Sequence, residues 1–313
     1  MPIPRRDLLV AGALAPLLAS RATDLSRFGQ DTPPALAATL GICAASYVTL
    51  AGGRPGAPVV LSGCAPDQPV QDGAIFQAAS LTKPVIAFAT LKLVREGRLD
   101  LRAPVSRYLP DGYAHRQHSF GGAADNPADR VPASTLARIP LATLLNHSSG
   151  LPNWTTGMLA PEFTPGERWQ YSGEAYVLLQ AVIGAVTGQD IESVVSRTVF
   201  EPLGMRHTRL RLADDIREQA VSGSSWLGGR TQFDFLEPNA AASLYTTAQD
   251  YALLIAALWA DAALMSLTMA DPVSVDLALG LTWGRGWGIE AAAGGPYLWH
   301  WGNNPGFRSF AMV

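Results

Sequence analysis

The chain carries the stretch Ala79-Ser80-Leu81-Thr82-Lys83-Pro84, followed by the apolar run Val85-Ile86-Ala87-Phe88-Ala89-Thr90-Leu91, and its fold is organised around these residues. The stretch predicts the start of a buried helix. Ser80 is a typical N-cap residue, and Pro84 falls in the first turn, where a missing N–H costs nothing. Gly97 is expected to end this helix.

Ser80 and Lys83 lie three residues apart on that helix, so their side chains point to the same side. A serine hydroxyl is a poor nucleophile until a base takes its proton. A lysine becomes that base when burial or a neighbouring positive charge lowers its pKa. The pattern S-x-x-K also arises by chance, in which case Ser80 only caps the helix and Lys83 reaches solvent. The spacing alone therefore leaves both interpretations open.

Length and composition indicate a globular chain with a large core. The 313 residues are 48% hydrophobic and 16% charged, with a formal net charge of −3. This composition excludes a disordered chain, and the absence of basic blocks argues against a nucleic-acid partner. One large domain or two interleaved ones fit this length.

Residues 1–22 are predicted to be a signal peptide. Arg5 and Arg6 precede a short apolar run, residues 8–19, and a small-residue site ends at Ala22. Paired arginines in this position are typical of twin-arginine export, and the run is too short to span a bilayer. We therefore expect a periplasmic or secreted protein; the alternative is an uncleaved apolar N-terminus.

Residues 40–63 predict a β-hairpin around a turn rich in glycine and proline. If Leu50 pairs with Ala57, then Cys43 lies opposite Cys64. Export makes a disulfide between them possible. Two unpaired thiols fit the sequence equally well.

Four later segments bear on function or on the course of the chain. Residues 111–138 predict a surface excursion in which His115 and His118 are solvated loop histidines rather than a metal pair. Tyr171 stands just before a buried helix at residues 174–186 and is either functional or an ordinary core tyrosine. A further helix is expected from Asp190 to residue 199, and a capping box at residues 247–250 opens another.

Several linked motifs resemble the serine β-lactamase-like superfamily, which holds class C β-lactamases, DD-peptidases, D-aminopeptidases and related carboxylesterases. The resemblance runs from about residue 40 to the end of the chain. The motifs are Ser80-Leu-Thr-Lys83, Leu99-Asp-Leu with Pro104-Val105 and Tyr108-Leu-Pro, Leu144-Leu-Asn-His147-Ser-Ser-Gly-Leu-Pro152, Pro165-Gly with Tyr171-Ser, Glu201-Pro-Leu-Gly-Met205 and His300-Trp-Gly302.

This resemblance implies an α/β (α+β) fold with an antiparallel central sheet flanked by helices. Residues 23–104 and 241–313 would form the sheet-containing region, and residues 105–240 would form an inserted, mostly helical lobe. Relatives continue through further strands and a C-terminal helix, which this chain is expected to lack. An open sheet edge, an exposed apolar face and low stability would follow.

The resemblance also implies a role for each motif residue. Ser80 would form an acyl-enzyme, with Lys83 as the buried base and Tyr171 as the proton relay. His300-Trp301-Gly302 matches the third motif, which lines the cleft and binds substrate. The backbone N–H groups of Ser80 and Asn303 would form the oxyanion hole. The chemistry implied needs no metal or cofactor.

Two departures narrow the activity. Gly173 stands where lactamases have an asparagine, and His300 stands where they have a lysine. Both changes favour an esterase or D-peptidase acting on neutral or small acyl substrates. The alternatives are a β-lactamase or penicillin-binding protein, or a relative that traps an acyl group or binds peptidoglycan peptides without turnover. The expected partner is a small ester, amide or peptide substrate.

Overall fold

A computed structural model describes residues 32–62, 70–117, 128–224, 230–231 and 233–313. The expected signal peptide and His118 lie outside these ranges. The described residues divide into two compact units, those within 1–45 and 61–69 in one and those within 46–60 and 70–313 in the other. Within the described ranges no single helix is long and apolar enough to cross a membrane; only two consecutive helices, bent by 93° between them, reach that length together.

The described N-terminal part contains one helix and a hairpin. The helix is α1 (Pro33–Leu40), and the strands are β1 (Ala44–Tyr47), β2 (Leu50–Ala51), β3 (Arg54–Pro55) and β4 (Val59–Ser62). Strand β1 pairs with β4, and β2 pairs with β3.

The expected hairpin register is wrong at the turn. Leu50 pairs with Pro55, not with Ala57. Gly52 and Gly53 both have positive φ, 56° and 75°, so they form a tight two-residue turn rather than a longer loop.

Cys43 is disulfide-bonded. The only other cysteine of the sequence, Cys64, lies outside the described residues.

The second unit holds the remaining helices. They are α2 (Thr82–Arg95), α3 (Ala133–Leu136), α4 (Leu141–Leu145), α5 (Gly173–Thr187), α6 (Ile191–Val195), α7 (Glu201–Leu203), α8 (Ala248–Ala260) and α9 (Ala262–Met269). A 3₁₀ turn covers Val105–Arg107, and a π turn, Ser196–Phe200, joins α6 to α7. Where the sequence predicts one helix to residue 199, this π turn interrupts it and keeps Val199 and Phe200 buried.

Several helix ends follow the signals in the sequence. Asp190 caps α6 by accepting from the Ser193 N–H, and Thr247 caps α8 by accepting from the Asp250 N–H. Helix α5 ends at Gly188, whose φ of 69° is left-handed and therefore suits glycine.

The remaining strands, all in the second unit, are β5 (Phe76–Ala79), β6 (Tyr113–Arg116), β7 (Ala128–Val131), β8 (Gly223–Ser224), β9 (Arg230–Thr231), β10 (Leu244–Thr246), β11 (Val273–Asp276), β12 (Leu281–Trp283), β13 (Gly288–Glu290), β14 (Tyr297–Asn304) and β15 (Phe307–Met312). Strands β11 to β15 form one antiparallel sheet in sequence order, and β5 pairs with β10. Strands β6 and β7 form a hairpin, as do β8 and β9.

The core of this unit forms around α2 and α5. Both helices are apolar nearly all round, and most of their side chains are buried, so each packs against neighbours on several sides. Each fully buried aliphatic side chain stabilises the fold by about 1.5–3 kcal/mol. One face of β14 and β15 instead exposes Tyr297, Trp301, Phe310 and Met312.

Candidate active site

Ser80 occupies the sharp corner between β5 and α2. The preceding Ala79 has a φ of 51°, a left-handed conformation that costs a residue with a Cβ roughly 1–2 kcal/mol. Thr82 stabilises the corner, because its Oγ1 donates to the Ala79 carbonyl at 2.6 Å and accepts from the Leu244 N–H at 3.0 Å. The expectation that Ser80 caps α2 is wrong. The N-cap is Leu81, without a side-chain cap, so the Ser80 hydroxyl is not committed to the helix end.

Lys83 lies in the first turn of α2 with no exposed surface. Its Nζ is 3.2 Å from Ser80 Oγ and donates to the Ala241 carbonyl at 2.7 Å. The same Nζ lies 4.7 Å from the ring centroid of Tyr171 and 5.7 Å from that of Tyr176. Burial lowers the pKa of Lys83 from 10.5 to about 7. The amine is therefore partly neutral near pH 7.

Tyr171 reaches this centre from the segment that leads into α5. His147 binds that segment on both sides of the tyrosine. Its carbonyl accepts from the Gln170 N–H at 2.7 Å, and its Nδ1 accepts from the Ser172 N–H at 3.1 Å. The Tyr171 hydroxyl is buried and has no hydrogen-bond partner among the described residues. Burial raises the pKa of this hydroxyl, and the nearby Ser80 side chain lowers it by a smaller amount. The two side chains do not form a well-aligned hydrogen bond.

Two buried histidines flank the site, and both are held neutral. Burial and then the charge of Lys83 lower the pKa of His300 to about 3 and that of His147 well below 6.5. His300 Nδ1 lies 2.7 Å from the Trp301 carbonyl and therefore carries the hydrogen, which leaves Nε2 as a bare acceptor. The His147 ring lies 4.3 Å from that of Tyr171, centroid to centroid, and the His300 ring lies 6.3 Å from it. Neither imidazole supplies a positive charge at neutral pH.

Gly302 brings β14 against the strand that ends at Ser80. A Cβ at this position would lie 2.3 Å from the Ala78 carbonyl oxygen and 2.1 Å from Ser309 Oγ, so only glycine allows the approach. Because side chains alternate along a strand, His300 lies on the buried face of β14, whereas Trp301 and Asn303 lie on the exposed face. The Trp301 side chain therefore points away from the His300 side.

An aromatic cluster supports Tyr171 and both histidines. Trp283, 2% exposed, is at its centre. Its ring lies 5.2 Å from that of His147, 5.9 Å from that of Tyr171 and 5.3 Å from that of His300. His147 lies within one of the sequence motifs, but no local signal in the sequence assigns His147 or Trp283 to the site.

The expectation that His115 is a solvated loop histidine is wrong. His115 has no exposed surface, and its Nδ1 lies 2.6 Å from Asp129 Oδ1 while its Nε2 lies 3.3 Å from Glu174 Oε2. The β6–β7 hairpin holds it there, paired with Asp129 across the strands. Within the described ranges no group of three or more histidine, cysteine, aspartate or glutamate side chains could hold a metal ion.

The chain is similar to known proteins over most of its length. The family model described as Beta-lactamase matches residues 43–313. The chain is 28% identical over 294 residues to esterase EstB of Burkholderia gladioli, covering 73% of this chain and 71% of that protein. It is 30% identical over 192 residues to a putative D-alanyl-D-alanine carboxypeptidase of Escherichia coli, covering 53% of this chain but only 41% of that relative.

A solved structure has the same fold. The D-amino acid amidase of Ochrobactrum anthropi superposes with a TM-score of 0.66 at 23% identity, covering 86% of this chain and 81% of that one. The match of the family model over most of the chain, together with this fold, shows that the protein belongs to the beta-lactamase family.

Proposed function

We propose that this protein is a serine hydrolase that forms an acyl-enzyme on Ser80 and acts on neutral esters or amides. One observation carries the proposal: Lys83 Nζ lies 3.2 Å from Ser80 Oγ, at a hydrogen-bonding distance. Because burial lowers the pKa of Lys83 to about 7, this amine is able to take a proton at neutral pH. The esterase and the putative carboxypeptidase among the relatives support the same reaction class.

Lys83 and Tyr171 carry out the proton transfers of the proposed reaction. As Ser80 Oγ attacks the substrate carbonyl carbon, its proton moves to neutral Lys83. The bond from that carbon to the leaving group then breaks, and the Tyr171 hydroxyl passes a proton to the leaving oxygen or nitrogen while Lys83 reprotonates the tyrosine. A water molecule attacks the acyl-enzyme, its proton moves to Lys83, and the acid is released as Ser80 recovers its hydrogen. Proton transfer by positioned groups of this kind contributes about 10²–10⁴-fold to the rate.

The backbone N–H groups of Ser80 and Asn303 are proposed as the oxyanion hole. The contact between Gly302 and the Ala78 carbonyl supports this assignment, since it brings the backbone after Gly302 next to the corner that carries Ser80. Removing a single oxyanion donor typically costs about 3–4 kcal/mol of transition-state stabilisation.

Neutral substrates are proposed because the described site lacks a fixed cation for a substrate carboxylate. His300 is neutral above pH values of about 3, and Lys83 must lose its charge in order to act as the base. Tyr171 cannot replace Lys83 as the base at neutral pH, because burial raises its pKa. A β-lactamase must bind a carboxylated lactam, so an esterase- or D-peptidase-like activity is the better fit.

The test combines covalent labelling with two chromogenic substrates. We expect the protein to react with a fluorophosphonate probe and to hydrolyse p-nitrophenyl butyrate faster than nitrocefin. Ser80→Ala should abolish both labelling and turnover, because it removes the attacking oxygen. Ser196→Ala is the matched control and should retain both labelling and turnover, because the Ser196 hydroxyl donates to Glu201 Oε1 in an exposed hydrogen bond on the π turn. Labelling that survives Ser80→Ala would place the nucleophile elsewhere.

Mass spectrometry separates an enzyme from a protein that only traps an acyl group. An enzyme is expected to lose its Ser80 adduct as the ester is consumed. An adduct stable for hours would instead identify an acyl trap, and a wild-type protein without any adduct would overturn the acyl-enzyme proposal.

We also propose that residues 1–22 export the protein through a twin-arginine route to the periplasm or beyond. The paired Arg5 and Arg6 and the short apolar run that follows them support this proposal. Replacing both arginines with lysine should leave the full-length precursor in the cytoplasm. Unchanged export of that variant would contradict a twin-arginine signal.

A further inference from the structure

Trp154 covers the Cα of Gly173, two residues after Tyr171. A Cβ at Gly173 would lie 2.4 Å from Cη2 and 2.5 Å from Cζ2 of the indole. Heavy atoms do not approach so closely, so the ring occupies the space that any other side chain at this position would need. The glycine and the tryptophan therefore form one unit of the structure.

The residues on either side of Trp154 fix it to the first turn of α5. The N–H groups of Gly173 and Glu174 donate to the Asn153 carbonyl at 3.0 and 3.1 Å. Glu174 Oε1 accepts from the Thr155 N–H at 3.2 Å. The backbone on both sides of the indole is thus tied to the helix that begins just after the proposed proton relay.

This part of α5 faces Lys83. Gly173, Tyr176 and Gln180 are spaced by three and four residues, so they share one face of the helix. On that face the Tyr176 ring lies 5.7 Å from Lys83 Nζ, and Gln180 Oε1 accepts from the Ala240 N–H at 2.8 Å, one residue before the carbonyl that Lys83 binds. Trp154 continues this face towards the N-terminal end of α5 and is only partly buried.

We propose that Trp154 is a specificity-determining residue that forms a flat apolar wall of the Ser80 cleft and favours esters or amides carrying a flat apolar group beside the scissile carbonyl. This inference rests on the proposed hydrolase function. Stacking of aromatic rings stabilises a complex by about 0.5–1.5 kcal/mol beyond the burial of apolar area, which is enough to distinguish such a group from a methyl group.

The test compares kcat/KM for pairs of substrates measured on the same enzyme preparation. In one series the acyl group varies at a constant alcohol, p-nitrophenyl phenylacetate against p-nitrophenyl acetate. In the other the alcohol varies at a constant acyl group, benzyl acetate against ethyl acetate. In Trp154→Ala the ratio of kcat/KM for the aromatic over the small substrate should fall about tenfold in at least one series, and that series tells which side of the carbonyl meets the wall. The ratio does not depend on the folded fraction of the variant.

Trp259→Ala is the matched control. Trp259 also covers a glycine, since a Cβ at Gly53 would lie 2.6 Å from its Cδ1, but it lies near the end of α8 and is 56% exposed. This control should leave both ratios unchanged.

A second variant tests the contact between Trp154 and Gly173 directly. Gly173→Ala should lower the same ratio by displacing the indole, and it should have no further effect when combined with Trp154→Ala.

Two results would overturn the inference alone while leaving hydrolysis intact. One is a ratio in Trp154→Ala within about twofold of the wild-type ratio in both series. The other is an equal fall in Trp259→Ala. If the wild-type protein neither hydrolyses esters nor reacts at Ser80, the proposed function fails and the inference fails with it.

Discussion

Burial moves the pKa values of the two groups beside Ser80 in opposite directions. It disfavours the ammonium form of Lys83, whose pKa falls to about 7, and it disfavours the phenolate of Tyr171, whose pKa rises. Near pH 7 the neutral amine is well populated and the phenolate is not. In the proposed mechanism these shifts favour Lys83 as the base and Tyr171 as a relay that remains protonated between steps.

The proposed role of Lys83 as the base predicts how hydrolysis depends on pH. Because the reactive form of Lys83 is the neutral amine, kcat/KM should rise with pH and level off above a midpoint of about 7. The measurement is kcat/KM for p-nitrophenyl butyrate from about pH 5 to about pH 9, corrected for spontaneous hydrolysis. The midpoint should persist in His207→Gln, which removes a half-exposed histidine outside the site. A kcat/KM that still rises at about pH 9 without levelling off would mean that burial does not lower the pKa of the lysine and that the amine is charged at neutral pH.

At the scale of elements, the site depends on the close approach of β14 and β5 at Gly302. We expect Gly302→Ala to push these strands apart, because the new Cβ would lie 2.3 Å from the Ala78 carbonyl oxygen and 3.0 Å from Ala79 Cβ. A displacement of about 1 Å at the proposed oxyanion donors should lower kcat/KM about 10²-fold, and overpacking should cost about 1–3 kcal/mol of stability.

Gly294→Ala is the matched control for this prediction. Nothing lies within 4 Å of a Cβ built at Gly294, so the same substitution meets open space. Its kcat/KM and urea midpoint should stay close to those of the wild-type protein. Wild-type activity in Gly302→Ala would show that the approach of the two strands does not position the oxyanion donors.

Elements with strong local signals could be predicted from the sequence. The apolar run after Pro84 gave a buried helix, and Thr247 with Asp250 gave the start of α8. The start of α2 at Thr82, rather than at Ser80, could not be predicted, because β10 fixes that corner through a hydrogen bond from the Leu244 N–H to Thr82, 162 residues away along the chain. The buried position of His115 likewise depends on Glu174, a distant residue that periodicity does not reveal.

At the scale of the whole molecule, the candidate site joins segments that are far apart in sequence. The proximity of Ser80 and Lys83 could be predicted because they lie three residues apart in sequence. The carbonyl that accepts the hydrogen bond from Lys83 could not, because it belongs to Ala241, 158 residues later. The contact of Trp154 with Gly173 has no sequence signature either. A sequence motif identifies the residue types that are present, whereas their contacts with residues far away along the chain are seen only in the fold.

The buried amine also makes the site costly for the stability of the whole molecule. Lys83 has a pKa of about 7 in the folded protein and 10.5 as its ordinary value. Between these pH values the unfolded chain binds more protons than the folded one, so this group makes stability rise as pH increases from about 7 to about 10.5. At pH 7 and below, the folded state carries the full cost of keeping the amine out of water.

Lys83→Met should therefore stabilise the protein while abolishing hydrolysis. Methionine keeps most of the side-chain volume without a group that must lose its charge, and the lost penalty is about 3–5 kcal/mol at low and neutral pH. The measurement is the free energy of unfolding in urea for both proteins at about pH 6 and about pH 10, where the difference should be large and then small. Ser80→Ala provides the matched control, since it also removes activity but leaves the amine in place, and it should show no such pH-dependent gain. A Lys83→Met protein less stable than the wild type at about pH 6 would mean that the hydrogen bonds of the amine outweigh its desolvation.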